Sequence, residues 1–214
     1  MVSDASILDT IRHSNHFGQW LEQLNRDWEE EQRRRHAFWA THDEGAKAEF
    51  INGEVLYHSP VYGRHWMVME NITHALLPFI REHKLGRMAW EKVMCRFTRN
   101  DYEPDIVFWR KEVALHFTAK QSAFPPPDFI VEILSDSTEE RDRGVKFDDY
   151  AAHGVREYWI VDPDEESVEQ YLHDGENLKL ALKVKSGVLQ AVAVTGFEMV
   201  VEEIFSDPLA AKLP

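Results

Sequence analysis

Cysteine is almost missing from this chain: Cys95 is the only one in 214 residues. That excludes an internal disulfide framework and a cysteine-rich zinc site. The strand-like setting Val93-Met94-Cys95-Arg96-Phe97 gives the thiol a packing role. Basic residues are also short, 24 against 38 acidic, for a formal charge of −14. A protein that coats nucleic acid by neutralising many phosphates needs the opposite balance. A metal-dependent nuclease does not, because bound cations reset the local field. No apolar run approaches the roughly 20 residues that span a bilayer. The opening Met1-Val2-Ser3-Asp4-Ala5-Ser6 lacks the basic stretch and apolar block of a signal peptide, so the expected location is cytoplasmic, with no membrane partner. Glycine stands at only 10 residues, and no phosphate-cradling loop ends in Gly-Lys-Ser/Thr. Neither a Gly-x-Ser-x-Gly elbow nor a His-Glu-x-x-His zinc pair is present.

What is present is enough apolar residue for a large core, 43% hydrophobic and 12% aromatic. Residues 1–44 differ from the rest. Phe17, Trp20, Leu21, Leu24 and Trp28 recur at helical spacing, and Glu29, Glu30 and Glu31 each stand four residues before Arg33, Arg34 and Arg35. This predicts an amphipathic helical extension that either packs on its own domain or pairs with another subunit. Ala48–Ile51 and Val55–His58 flank Asn52-Gly53, a hairpin signal. Arg64–His83 reads as a helix loosened by Pro78 and closed by Lys84-Leu85-Gly86. Strands are expected at Arg87–Thr98, Asp105–Trp109 and Phe129–Leu134, with Lys111–Pro127 a long connection. Ser137 and Glu140 form a capping box that opens one helix running to about His153. Strands then follow at Val155–Val161, Val168–Leu172, Leu178–Val184 and Val188–Val194. The order is that of an α/β fold with a mixed β-sheet flanked by helices.

Glu132 sits inside the apolar run Phe129-Ile130-Val131-Glu132-Ile133-Leu134. A carboxylate in a strand buried on both faces costs several kcal/mol unless a metal, a basic partner or a raised pKa compensates it. Asp105 follows Pro104 and begins the strand Ile106–Trp109. Two carboxylates on adjacent strands are placed to share a hard cation such as magnesium. Taken alone, Asp105 also reads as a turn residue and Glu132 as half of a structural ion pair. Period two puts Glu132 and Leu134 on one face, so no lysine stands beside the carboxylate. The next cation is Lys146 on the following helix, which either leans toward the sheet or pairs on the surface with a neighbouring aspartate.

The ordered set Asn52-Gly53-Glu54, Ser59-Pro60, Arg64-His65, Pro104-Asp105, Val131-Glu132-Ile133-Leu134-Ser135, Arg141-Asp142-Arg143-Gly144-Val145-Lys146 and Glu157-Tyr158-Trp159-Ile160-Val161-Asp162-Pro163 resembles the Uma-two family of endonucleases, in the PD-(D/E)XK restriction-endonuclease-like superfamily. The resemblance runs from about residue 47 to Phe205. It implies a restriction-endonuclease-like core at 45–206, between the extension at 1–44 and a tail at 207–214. It further implies phosphodiester cleavage in DNA with Mg²⁺ or Mn²⁺. Asp105 and Glu132 then match the superfamily's two carboxylates, Glu54 adds a third metal ligand, and Lys146 replaces the lysine missing at position 134. His65 matches a recurring histidine of unassigned role. A homodimer is the expected assembly. The alternative function is that of a catalytically silent nuclease fold that binds or assembles through its helical extension.

Overall fold

The computed structural model describes residues 4–41, 47–60, 62–207 and 209. Contacts divide the chain into two units, Met1–Tyr57 and His58–Pro214. The boundary expected at residue 44 lies outside the described residues, and of the tail only 207 and 209 are described.

The first unit contains α1 (Asp4–Arg12), α2 (Phe17–Thr41) and a hairpin of β1 (Ala48–Ile51) and β2 (Glu54–Tyr57). Asn52 and Gly53 turn the hairpin with φ of 51° and 87°, the two positive values of a type I′ turn. Phe38 of α2 stacks on Phe50 of β1 at 5.9 Å between centroids. The stripe Phe17, Trp20, Leu21, Leu24 and Trp28 is exposed, each residue at 41–54%. It does not serve as a core face.

The second unit opens with α3 (Gly63–His83), β3 (Gly86–Trp90), β4 (Met94–Arg96), β5 (Asp101–Tyr102), β6 (Ile106–Arg110) and α4 (Lys111–Ala114). It continues with β7 (Ala123–Phe124), β8 (Phe129–Ile133), α5 (Glu139–Arg143), α6 (Val145–Ala152) and β9 (Glu157–Asp162). β10 (Ser167–His173), β11 (Leu178–Val184), β12 (Val188–Gln190), β13 (Glu198–Val200) and α7 (Val201–Ile204) complete it. Six strands form the main sheet in the order β11-β10-β9-β8-β6-β3. Only β8 and β9 pair in parallel, across the α5–α6 crossover; the other neighbours are antiparallel. The sheet is therefore mixed and flanked by helices, as the sequence implies.

Alternation sets the two faces of the central strands. Phe129, Val131 and Ile133 of β8, with Trp159 and Val161 of β9, join Val68, Ile72, Leu76 and Ile80 of α3 in one core. Period two then sends Ile130 and Glu132 to the opposite face.

The structure departs from several sequence expectations. The strand expected at Arg87–Thr98 is broken into β3 and β4, because Glu91, whose N–H makes the last in-register bond to β6 at the Asp105 carbonyl, 3.0 Å away, adopts a left-handed φ of 60°. α3 is closed by Lys84 in the left-handed conformation rather than by glycine. Gly86 instead begins β3, where an added Cβ would lie 2.0 Å from the Trp109 carbonyl oxygen. The helix expected from Ser137 to His153 is two helices that share Gly144 as a cap, and no capping-box side-chain bond forms at its start. The connection Lys111–Pro127 contains α4 and β7. The strand expected at Val188–Val194 is only β12, which pairs with β13 outside the main sheet.

Candidate active site

Pro104 has no N–H to give a ladder, so β6 begins after it and Asp105 stands at the strand's mouth. Ile106 pairs with Val131, which sets Asp105 across from Glu132 on β8. The two are joined directly. The Asp105 N–H reaches Glu132 Oε2 at 3.3 Å, and the Ile133 N–H donates to Asp105 Oδ2 at 2.9 Å. His65, in the first turn of α3, brings Nε2 to 3.1 Å from the same Oδ2. Its Nδ1 is buried and has no hydrogen-bond partner among the described residues.

The lysine comes from the crossover. Gly144, with ψ of −105°, interrupts the helix, and Lys146 is the second residue of α6. Its side chain is 2% exposed, and Nζ lies 3.0 Å from Glu132 Oε1 and 3.0 Å from Asp142 Oδ1. Lys146 is thus an inward residue, not a surface one. Tyr150, one turn on, donates its hydroxyl to Glu132 Oε1 at 2.7 Å. The Tyr102 ring lies under the ammonium group, 5.9 Å from centroid to Nζ. Tyr158 closes the far side, donating to the Asp142 carbonyl at 3.1 Å. Burial pushes the Tyr158 hydroxyl well above its ordinary pKa, and the carboxylates of Asp142 and Glu132 push it further. It remains a neutral donor.

Asp105, Glu132 and Lys146 therefore converge in the second unit. Glu54 is in the first unit, exposed at the head of β2 and paired with Ile51. Leu134, where the superfamily lysine would fall, is buried just beyond the end of β8. Sequence reasoning missed Tyr150 as a partner of Glu132 and gave His65 no role, and the Asp142 it weighed as a surface partner of Lys146 pairs with that lysine in the interior. Each is an ordinary helix residue until the fold supplies its contact.

Within the second unit, three carboxylates are buried together: Glu132 and Asp142 share the Lys146 ammonium group, and Asp105 adjoins Glu132. Two of them, Asp105 and Glu132, are linked oxygen donors of the kind that magnesium takes one or two of, with water filling the rest of its shell. That donor chemistry fits a hard divalent cation. Among the described residues, no three Asp, Glu, His or Cys side chains form a metal cage.

A mixed sheet bearing an acidic pair on adjacent central strands, with a lysine returned from the crossover helix, defines a restriction-endonuclease-like nuclease fold. The chain belongs to the Uma2 family, whose sequence pattern, described as "Putative restriction endonuclease", matches residues 28–202. Among solved structures, "a putative nuclease belonging to DUF820" from Anabaena variabilis ATCC 29413 matches with a TM-score of 0.62 and 18% identity. The match covers 74% of this chain and 89% of that one, and it shows the shared fold. No curated protein matches. Among the described residues no helix is long and apolar enough to cross a membrane.

Proposed function

We propose that the protein is a divalent-metal-dependent endonuclease that hydrolyses phosphodiester bonds in DNA. The observation that supports this most is the buried contact of Lys146 with Glu132, beside the linked Asp105. Asp105 and Glu132 would hold Mg²⁺ or Mn²⁺. When bound, the ion polarises the phosphate and lowers the pKa of a water ligand. The chain's own groups do the rest. His65 and the Ile133 N–H orient Asp105. Tyr150 and Lys146 orient Glu132. Lys146 also offers positive charge to the phosphate oxygens as the water oxygen bonds to phosphorus and the bond to the departing sugar oxygen breaks. We further propose a homodimer, joined through the exposed stripe of α2.

Calorimetric titration of the full chain with Mn²⁺, beside plasmid cleavage in Mg²⁺, tests the reading. Binding and nicking are expected in the wild type, with nicking lost in Asp105→Ala and metal affinity lost in Glu132→Gln. A wild type that binds no metal and cuts no DNA would overturn it. Glu54→Gln tests the third carboxylate carried by the resemblance. Weakened Mn²⁺ binding makes Glu54 a ligand, and unchanged binding removes it.

A second reading has its own support. Lys146 is shared between Glu132 and Asp142 in a closed, buried ion-pair network. Such a network also suits a silent nuclease fold whose acidic pair is structural. The same titration separates the two.

A further inference from the structure

We propose that the groove between α3 and β3 holds a single strand of nucleic acid leading away from the acidic pair. This rests on the nuclease reading and adds to it the form of the substrate and the surface that holds it. Two residues of its lining neighbour the candidate site. Trp66 directly follows His65, and Glu91, at the end of β3, donates its N–H to the Asp105 carbonyl. Trp66 and Trp90 are 49% and 41% exposed, and with Leu77 and Pro78 they wall an apolar cavity of about 570 Å³. Its charged lining is acidic, Glu70 and Glu91.

Leu77 also lines a second cavity, of about 440 Å³, toward the C-terminal end of α3. Here the charge reverses. Arg81, Lys84, Arg87 and Lys111 line it, with no acidic side chain. Among the described residues none of these four side chains enters an ion pair. In a chain of net charge −14, four unpaired cations around one cavity are a local site for anions.

The two cavities complement different parts of one ligand. Exposed indoles stack on bases, a contact open to any base because each has a π-face. Glu70 and Glu91 repel phosphates but accept hydrogen bonds from exocyclic amino groups. The four cations attract phosphates. From Trp66 to Arg81 the helix rises about 22 Å. At about 3.4 Å per phosphate along a stacked strand, that spans on the order of six nucleotides, and fewer in an extended one. In a duplex the base faces are hidden in the stack, so the indoles select a single strand. A second copy of this chain would use the tryptophans but leave the cation-lined cavity unexplained.

The test uses the full chain, a fluorescein-labelled 12-nucleotide DNA strand of adenine and cytosine, both of which carry exocyclic amino groups, and EDTA, so that binding is read by anisotropy without cleavage. The wild type is expected to bind this strand more tightly than a duplex of the same length. Arg87→Gln with Lys111→Gln should raise Kd at least tenfold at 100 mM salt, about two orders of magnitude being the upper range, and reduce the slope of log K against log salt by about 1.4. Trp90→Ser should raise Kd about tenfold. The charge-keeping pair Arg87→Lys with Lys111→Arg should bind as the wild type does. No binding by the wild type, a preference for duplex, or unchanged Kd in the neutral pair and in Trp90→Ser would each overturn the groove. So would a fall in oligomeric mass on changing Trp66 and Trp90. Cleavage is scored separately. Loss of binding in these variants without cutting by the wild type retains the groove and removes the nuclease. Wild-type cutting of the strand by all of them removes the groove and retains the nuclease.

Discussion

Two buried glutamates in adjacent strands show what decides a carboxylate's role. Glu157 of β9 accepts only neutral donors: Trp159 and Gln170 at one oxygen, the Val192 and Ala193 N–H groups at the other. Burial raises its pKa despite these four bonds. It fastens the segment after β12 to the sheet. Glu132 instead accepts from an ammonium group, a phenol and the backbone of a second carboxylate's residue. Removing the cation should therefore be costly. Lys146→Met leaves Glu132 and Asp142 buried without their partner and is expected to lose about 3–5 kcal/mol in urea unfolding. Added to Glu132→Gln it should lose less than the sum, with a coupling of about 0.5–3 kcal/mol. Equal stability of Lys146→Met and wild type would mean that the contact is not made. At this scale Glu132 was legible because a charge breaks an apolar run, and Lys146 because the usual position holds Leu134. Glu157 was not legible, since its donors come from up to 36 residues away. His65 is the same case, its partner 40 residues distant.

The elements owe their placement to a few backbone points. Gly144 splits the crossover, and a Cβ there would sit 2.8 Å from the Glu140 carbonyl oxygen. The sequence reads as one helix from Ser137 to about His153, and the close approach at this glycine divides it. Gly86 is tighter still, and Gly86→Ala is expected to cost about 1–3 kcal/mol or more by forcing β3 off β6, measured by thermal melting. α5 is tied to the terminal hairpin through Glu169 of β10, which takes Arg143 at 2.8 and 3.2 Å, Lys183 at 2.8 Å and the Tyr171 hydroxyl at 2.6 Å. Burial raises the Glu169 pKa, but these hydrogen bonds outweigh it and bring the carboxyl to about 2. A carboxyl lowered in the fold stabilises above its unfolded pKa of about 4.3, and the contribution disappears as pH falls through about 2. The wild type's advantage over Glu169→Gln in urea midpoint should hold from pH 7 to about 5 and shrink between about 4.3 and 2. An advantage independent of pH would show that the tie carries no charge.

At the scale of the whole chain, an excess of 14 negative charges sets two demands. Any bound polyanion must be met by local concentrations of positive charge, and copies of the chain that associate must do so through surface that is not strongly charged. α2 offers such a surface. Phe17, Leu21, Leu24 and Trp28 follow spacings of four, three and four, the repeat that lets two helices mesh, and all four are exposed. The periodicity was plain in the sequence. The side chain's environment was not, because an amphipathic helix reads the same whether it covers its own core or another chain. The exposed stripe favours the second use, since contiguous exposed apolar surface marks contact sites. Sedimentation equilibrium of the full chain is then expected to give twice the 25.0 kDa of one copy. Leu21→Glu with Trp28→Glu places like charges in the seam and should return the mass to that of one chain without changing the far-ultraviolet circular dichroism. A wild type that sediments as a monomer, or a charged variant that keeps the doubled mass, would take α2 out of the interface.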